Sequence, residues 1–132
     1  KLFGVRVDRD LGVMRPGQPI SLLFARVLAE LDPLLADVKP DAVLVQGDTT
    51  TACAAALAAF HRGIPVGHVE AGLRTADPLS PFPEEMNRRL ATRLARWHFA
   101  GTRNHVRTLL REGVPRANVV LSGNPVVDAL QQ

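Results

Sequence analysis

Between residues 41 and 75 the chain reads DAVLVQGDTTTACAAALAAFHRGIPVGHVEAGLRT, and this stretch limits what the rest can become. Residues 42–46 and 64–69 are short, apolar and partly β-branched, as strands of a buried parallel sheet are. An alanine-rich segment, residues 50–61, joins them with about three turns of helix. Strand, helix and strand make the βαβ unit of a parallel sheet. Gly47 lets the chain turn sharply after the first strand, and Asp48 or a following Thr can cap the helix. His61, Arg62 and Gly63 suit its end, with cations in the last turn and glycine just beyond. Ligands of such sheets bind past the carboxyl ends of the strands. Asp48 and Glu70 both stand there. If the strands are neighbours, about 5 Å apart, two carboxylates share one crevice with His68 and the threonines 49, 50 and 51.

The flanking segments continue the alternation. Residues 18–38 read as an amphipathic helix, with Ser21 as a cap and Pro33 expected to end or kink it. Residues 10–14 read as a short strand, and residues 1–5 as the last turn of a preceding helix. Residues 71–83 form a loop rich in Gly, Pro, Ser and Asp. Pro83 opens a helix with Glu84 and Glu85 at its positive end, an apolar stripe of Leu90, Leu94 and Trp97, and a basic stripe of Arg89, Arg93 and Arg96. Residues 98–100 make a strand, Thr102 caps a helix over 103–112, and residues 118–121 make the last strand before Ser122-Gly123-Asn124-Pro125 and another helix. This order predicts a doubly wound α/β domain.

Size and charge narrow the function. A chain of 132 residues supports one domain with a real core. No apolar run approaches the roughly 20 residues of a membrane helix, and Lys1-Leu2-Phe3 does not begin a signal-peptide pattern. The single cysteine, Cys53, excludes an internal disulfide and fits a reducing compartment. The net charge of +3 hides an arginine-rich last third, from Arg88 to Arg116. That favours an anionic partner such as a phosphate or nucleotide. Nucleic acid is disfavoured, because the basic residues lack interleaved stacking aromatics and tyrosine is absent. The turns at Gly47-Asp48-Thr49 and Ser122-Gly123-Asn124 can hold phosphate, but neither matches a dinucleotide or triphosphate fingerprint.

Each candidate has a plain structural alternative. Asp48 suits both an N-cap and a reactive carboxylate. Glu70 caps nothing obvious; ion pairing with Arg74 or Arg88 competes with a role as general acid or base. His68 alternates with Glu70 along the strand and should point the same way, although a core histidine bonded to backbone fits the spacing too. Glu84 and Glu85 are ordinary acids of a first helical turn.

The segments VLVQGDTTT, GIPVGHVEAGLRT, SPFPEEMNRRL and SGNPVVDAL, in that order and spacing, closely resemble the non-hydrolysing UDP-N-acetylglucosamine 2-epimerases. DLGVMRPGQ upstream is similar as well. The resemblance implies a fold of the glycosyltransferase-B kind, two Rossmann-like domains with the site between them. It implies inversion at C2 of UDP-GlcNAc to UDP-ManNAc, by elimination of UDP to a glycal and re-addition to the other face. Neither metal nor organic cofactor is implied. Carried over by position, Asp48, Glu70 and Glu84 match the family's catalytic acids. Arg88, Thr49 and His68 become substrate-binding candidates. Gln18 matches a position that contacts a second, regulatory UDP-GlcNAc. The resemblance further implies a cytoplasmic homodimer serving cell-envelope polysaccharide synthesis.

Against that pattern, residues 1–132 correspond to part of the N-terminal domain, without its first strands and without the second domain. The isolated chain is therefore expected to be inactive or nearly so, with residues 42–46 left as an exposed apolar edge. A non-catalytic nucleotide-sugar-binding module is the alternative function.

Overall fold

The computed structural model describes residue 4 and residues 6–130, the side chain of Asp128 excepted. Among them, helix α1 (Ile20–Val38) precedes strand β1 (Val43–Gln46), helix α2 (Thr50–His61), strand β2 (Val66–Val69), helix α3 (Glu84–Leu94), strand β3 (Trp97–Ala100), helix α4 (Arg103–Arg111), strand β4 (Val119–Leu121) and helix α5 (Pro125–Leu130). The sheet is parallel, in the order β1-β2-β3-β4. This is the Rossmann-like α/β architecture expected from the sequence. Its right-handed crossovers step one way along the sheet, which puts α2, α3 and α4 on a single face.

That face is the core. Val45, Val66, His68, His98, Ala100 and Val119 point into it and are buried. Alanines 52, 56, 58 and 59 of α2 let the helix settle close to Val45 and Val66, and α1 adds Leu35 behind it. Leu109 and Val114 close a second cluster over Val119. The opposite face carries Leu44, Val69, Phe99 and Val120; Leu44 is 67% exposed. Strand β1 is the sheet edge, as expected, and it is buried on one face only, not on both as its apolar letters alone predicted.

Other local expectations also needed correction. Helix α1 runs through Pro33, whose solvent-facing position leaves the unpaired carbonyl one turn back open to water. Val27 and Leu35, buried on either side, hold both halves in line. Ser21 does not cap it; Pro19 precedes the helix and no side chain caps it. Residues 10–14 form no strand. They lack a neighbour to pair with, and Asp10 Oδ1 accepts from the Gly12 N–H at 2.9 Å in a local turn. Trp97 belongs to β3, and α3 buries chiefly a polar face, Glu85, Asn87, Arg88 and Thr92 with Ala91; of the expected apolar stripe Leu94 packs partly buried on the core, whereas Leu90 is exposed. The expectation for residues 1–5 lies outside the described residues, apart from Gly4.

Candidate active site

At the carboxyl end of β1 the backbone turns at Gly47, with φ +72°, and Thr49 starts α2 by accepting from the Ala52 N–H at 3.1 Å. Asp48 is thereby released from capping. At the end of β2, Glu70 has φ +65°, a left-handed conformation that costs a non-glycine residue about 1 kcal/mol or more. The turn breaks strand alternation, so Glu70 and His68 do not share a direction. Ala71 N–H donates to Phe99 O at 3.0 Å, and Gly72 lies so close to His105 O that an added Cβ would sit 2.5 Å away. These contacts hold the unusual backbone of Glu70 in place.

The two carboxylates share a cavity. Gly47, Asp48, Glu70, Leu73, Arg88, Gly101, His105 and Asn124 line one cavity of about 80 Å³. Arg88 reaches in from α3 and grips Asp48 Oδ2 with Nη2 at 2.6 Å and Nε at 2.8 Å. Gln46 Nε2 donates to Glu70 Oε1 at 2.9 Å. Among the described residues, no cation lies within ion-pairing distance of Glu70.

Behind Arg88 stands Glu85, which has no exposed surface. Its carboxylate accepts from Arg88 Nη1 at 3.1 Å, Arg89 Nε at 2.8 Å and the Thr75 N–H at 3.1 Å. Burial pushes its pKa up, but the bonds from Arg89, Thr75 and Arg88 outweigh it and hold Glu85 below the usual range. Arg88 thus spans two carboxylates, one facing the cavity and one in the interior. Arg74 fastens the loop after Glu70, pairing with Glu112 at 2.8 Å and donating to Thr92 Oγ1 at 2.8 Å.

The remaining sequence-derived candidates lie elsewhere. Glu84 sits in the first turn of α3, half-buried, and is not on the cavity wall. His68 is fully buried and its Nε2 is 2.8 Å from Gly47 O. Gln18 lies just before α1, where its Oε1 accepts from Arg26 Nη1 at 2.9 Å. Asn87 and His105 are not among the sequence candidates, Asn124 is one only through its turn, and Glu85 is expected only as an ordinary acid of a first helical turn. The only hint toward a further role for the last is the Glu-Glu-Met-Asn-Arg run itself. Among the described residues, no group of three His, Cys, Asp or Glu could hold a metal ion. Wider hollows occur beside residues 7–15, about 570 Å³, and along α4, about 660 Å³, but neither has a carboxylate pair.

A family model described as UDP-N-acetylglucosamine 2-epimerase matches residues 1–132. The chain belongs to that family. Its curated relatives in the UDP-N-acetylglucosamine 2-epimerase family include the Salmonella typhimurium protein of that name, 55% identical over 129 residues, with 98% of this chain and 34% of the relative covered. The Escherichia coli K12 relative is 53% identical over 130 residues, covering 98% and 35%. The structure is similar to UDP-GlcNAc 2-epimerase from Neisseria meningitidis bound to UDP-GlcNAc, with a TM-score of 0.95 and 50% identity over 98% of this chain and 35% of that one. It is also similar to the Methanocaldococcus jannaschii enzyme in complex with UDP-GlcNAc and UDP, with a TM-score of 0.89 and 38% identity, covering 96% and 34%. The chain spans about a third of the length of the curated relatives it matches.

Proposed function

We propose that these residues form the carboxylate-bearing wall of an enzyme that interconverts UDP-GlcNAc and UDP-ManNAc. The observation that carries this reading is the convergence of Asp48 and Glu70, from neighbouring parallel strands, on one cavity with Arg88. In the forward step the C2–H and C1–O bonds break, a C1=C2 bond forms and UDP leaves. In the return, UDP oxygen rejoins C1 and a proton reaches C2 on the other face. One group must take a proton and another must give one, and paired carboxylates can do both. Asp48, paired with Arg88, is suited to orienting the ligand. Glu70, free of any ion pair among the described residues, is taken as the group that meets the C2 proton. Glu84, on the same helix as Arg88 and one turn before it, is the third acid of the reading. Thr49 and Arg88 are its substrate contacts, and Gln18 its regulatory position. No metal or organic cofactor takes part.

A nucleotide sugar needs a site of about 300 Å³ or more, and the cavity here is about 80 Å³. The rest of the site comes from outside these residues, so the isolated chain turns over little or no substrate. The whole protein is taken to be a cytoplasmic homodimer. No described helix is long and apolar enough to cross a membrane.

The test follows UDP-GlcNAc by NMR in D₂O with the full-length polypeptide that carries these residues. Deuterium should enter C2 of both epimers, and Glu70→Gln should lower kcat by about 100-fold or more, the scale of an acid–base group. Conversion that survives E70Q intact overturns the role of Glu70. The alternative reading is a module that binds nucleotide sugar without acting on it. Calorimetric binding of UDP without any C2 exchange would select that alternative.

A further inference from the structure

Two consecutive carbonyls behind Asp48 are held by side chains. His68 Nε2 lies 2.8 Å from Gly47 O, and Asn87 Nδ2 donates to Asp48 O at 2.9 Å. A carbonyl oxygen only accepts, so Nε2 carries the imidazole proton. His68 Nδ1 has no partner. His68 is 0% exposed and Asn87 6%, and neither lines the cavity. The Gly47 N–H donates to Val69 O at 3.0 Å, so β2 supplies both the strand pairing and the histidine that fix this residue. The turn needs fixing. Gly47 sits at positive φ and, as glycine, can rotate its peptide at little cost. Rotation there would swing the Asp48 carboxylate out of the cavity.

We propose that His68 and Asn87 are positioning residues: they lock the Gly47–Asp48 turn from behind, fix the direction of the Asp48 carboxylate, and do not meet the sugar. The proposal rests on the epimerase reading for Asp48, and gives His68 a different task from ligand contact. Burial, the largest influence on His68, lowers its pKa. A neutral imidazole with a fixed Nε2–H is what a standing bond to Gly47 O requires.

The nitrogen in use makes the test specific. A glutamine amide reaches about as far as Nε2, whereas an asparagine amide reaches only as far as Nδ1. In the full-length polypeptide, His68→Gln should keep kcat within about fivefold, while His68→Asn and Asn87→Asp should lose about 100-fold, the scale of a misplaced reacting group. KM should change by less than kcat, since of the proposed contacts only Asp48 is displaced while Thr49 and Arg88 keep their places. The pH profile of the residual activity should be unchanged, and urea midpoints should confirm that each variant is folded. Imidazole ¹⁵N NMR should show the Nε2–H tautomer of His68, unprotonated at pH 6.5. A folded H68Q as impaired as H68N, loss of one limb of the pH profile, or an Nδ1–H tautomer would each overturn the proposal. Absence of conversion by the unsubstituted polypeptide would instead sink the epimerase reading, and the tautomer would then judge the clamp alone.

Discussion

Glu85 is the interior anchor of Arg88, and its neighbour Glu84 is not; that difference of one position sets opposite expectations. Glu85→Gln leaves two guanidiniums short of a fully buried acceptor, so it should cost about 3 kcal/mol in urea denaturation. Glu84→Gln should cost less than about 0.5 kcal/mol, the range of surface changes, yet should lower turnover. A stable E85Q protein would show that the buried pair is dispensable. Asp48 and Glu70 were legible in the sequence because strand ends can be read and ligands gather there. Glu85 was not. Adjacent residues on a helix differ by about 100° in direction, and where the buried face is mostly polar the apolar letters do not fix which of the two faces in. Two glycines give a second contrast. Gly72→Ala combines φ +93° with a Cβ 2.5 Å from His105 O, a backbone atom that cannot move aside. It should cost about 3 kcal/mol or prevent folding. Gly67→Ala meets Leu44 Cδ2 at the same 2.5 Å, but that side chain is on an exposed edge and can swing away. Its cost should stay near 1 kcal/mol, on the overpacking scale, and thermal melts compare the two.

Strands β2 and β3 place His68 directly beside His98, both buried beneath the helices. Burial lowers the pKa of each; for His98, the neighbouring His68 and Arg74 add to the effect, the Ala95 backbone and Glu112 oppose it, and the value falls to about 4. The unfolded chain binds this proton near pH 6.5 and the folded one only near 4, so the unfolded state holds more protons in between. Stability should therefore be level above pH 6.5 and fall as pH drops, by about 2 kcal/mol from His98 at pH 5. Urea midpoints at pH 7.5, 6 and 5 measure this, and a His98→Gln chain should show a shallower fall. Midpoints that do not move would mean that water reaches the pair. At this scale the sequence was informative wherever periodicity met a terminator. Thr49 and Thr102 cap α2 and α4 as their placement predicted. It misled where packing overrode a local rule. Burial of Val27 and Leu35 outweighs Pro33, and the polar inner face of α3 follows from Asp48 needing Arg88, a demand from another strand that no local window contains.

For the molecule as a whole, surface is the telling quantity. The chain exposes 8583 Å², whereas a compact monomer of its 14.3 kDa would expose about 6,800 Å². Part of the excess is the uncovered sheet face, where Leu44, Val69 and Phe99 border a hollow of about 260 Å³ with Pro125. Apolar surface at a free strand edge invites pairing with another copy. Sedimentation of the isolated chain should show association at micromolar concentration, reduced by Leu44→Lys; a clean monomer at every concentration would contradict this. The overall parallel order was legible, since alternating strand and helix patterns allow little else. The openness of one face was not apparent, because both faces of each strand are written in apolar letters. Cys53, the chain's single cysteine, is 1% exposed between α2 and its neighbours, and burial raises its thiol pKa. A thiol so enclosed answers an alkylating reagent only during the moments when α2 lifts from the sheet. Its labelling rate is thus a built-in clock for that opening, and a ligand or partner that seals the domain should slow it.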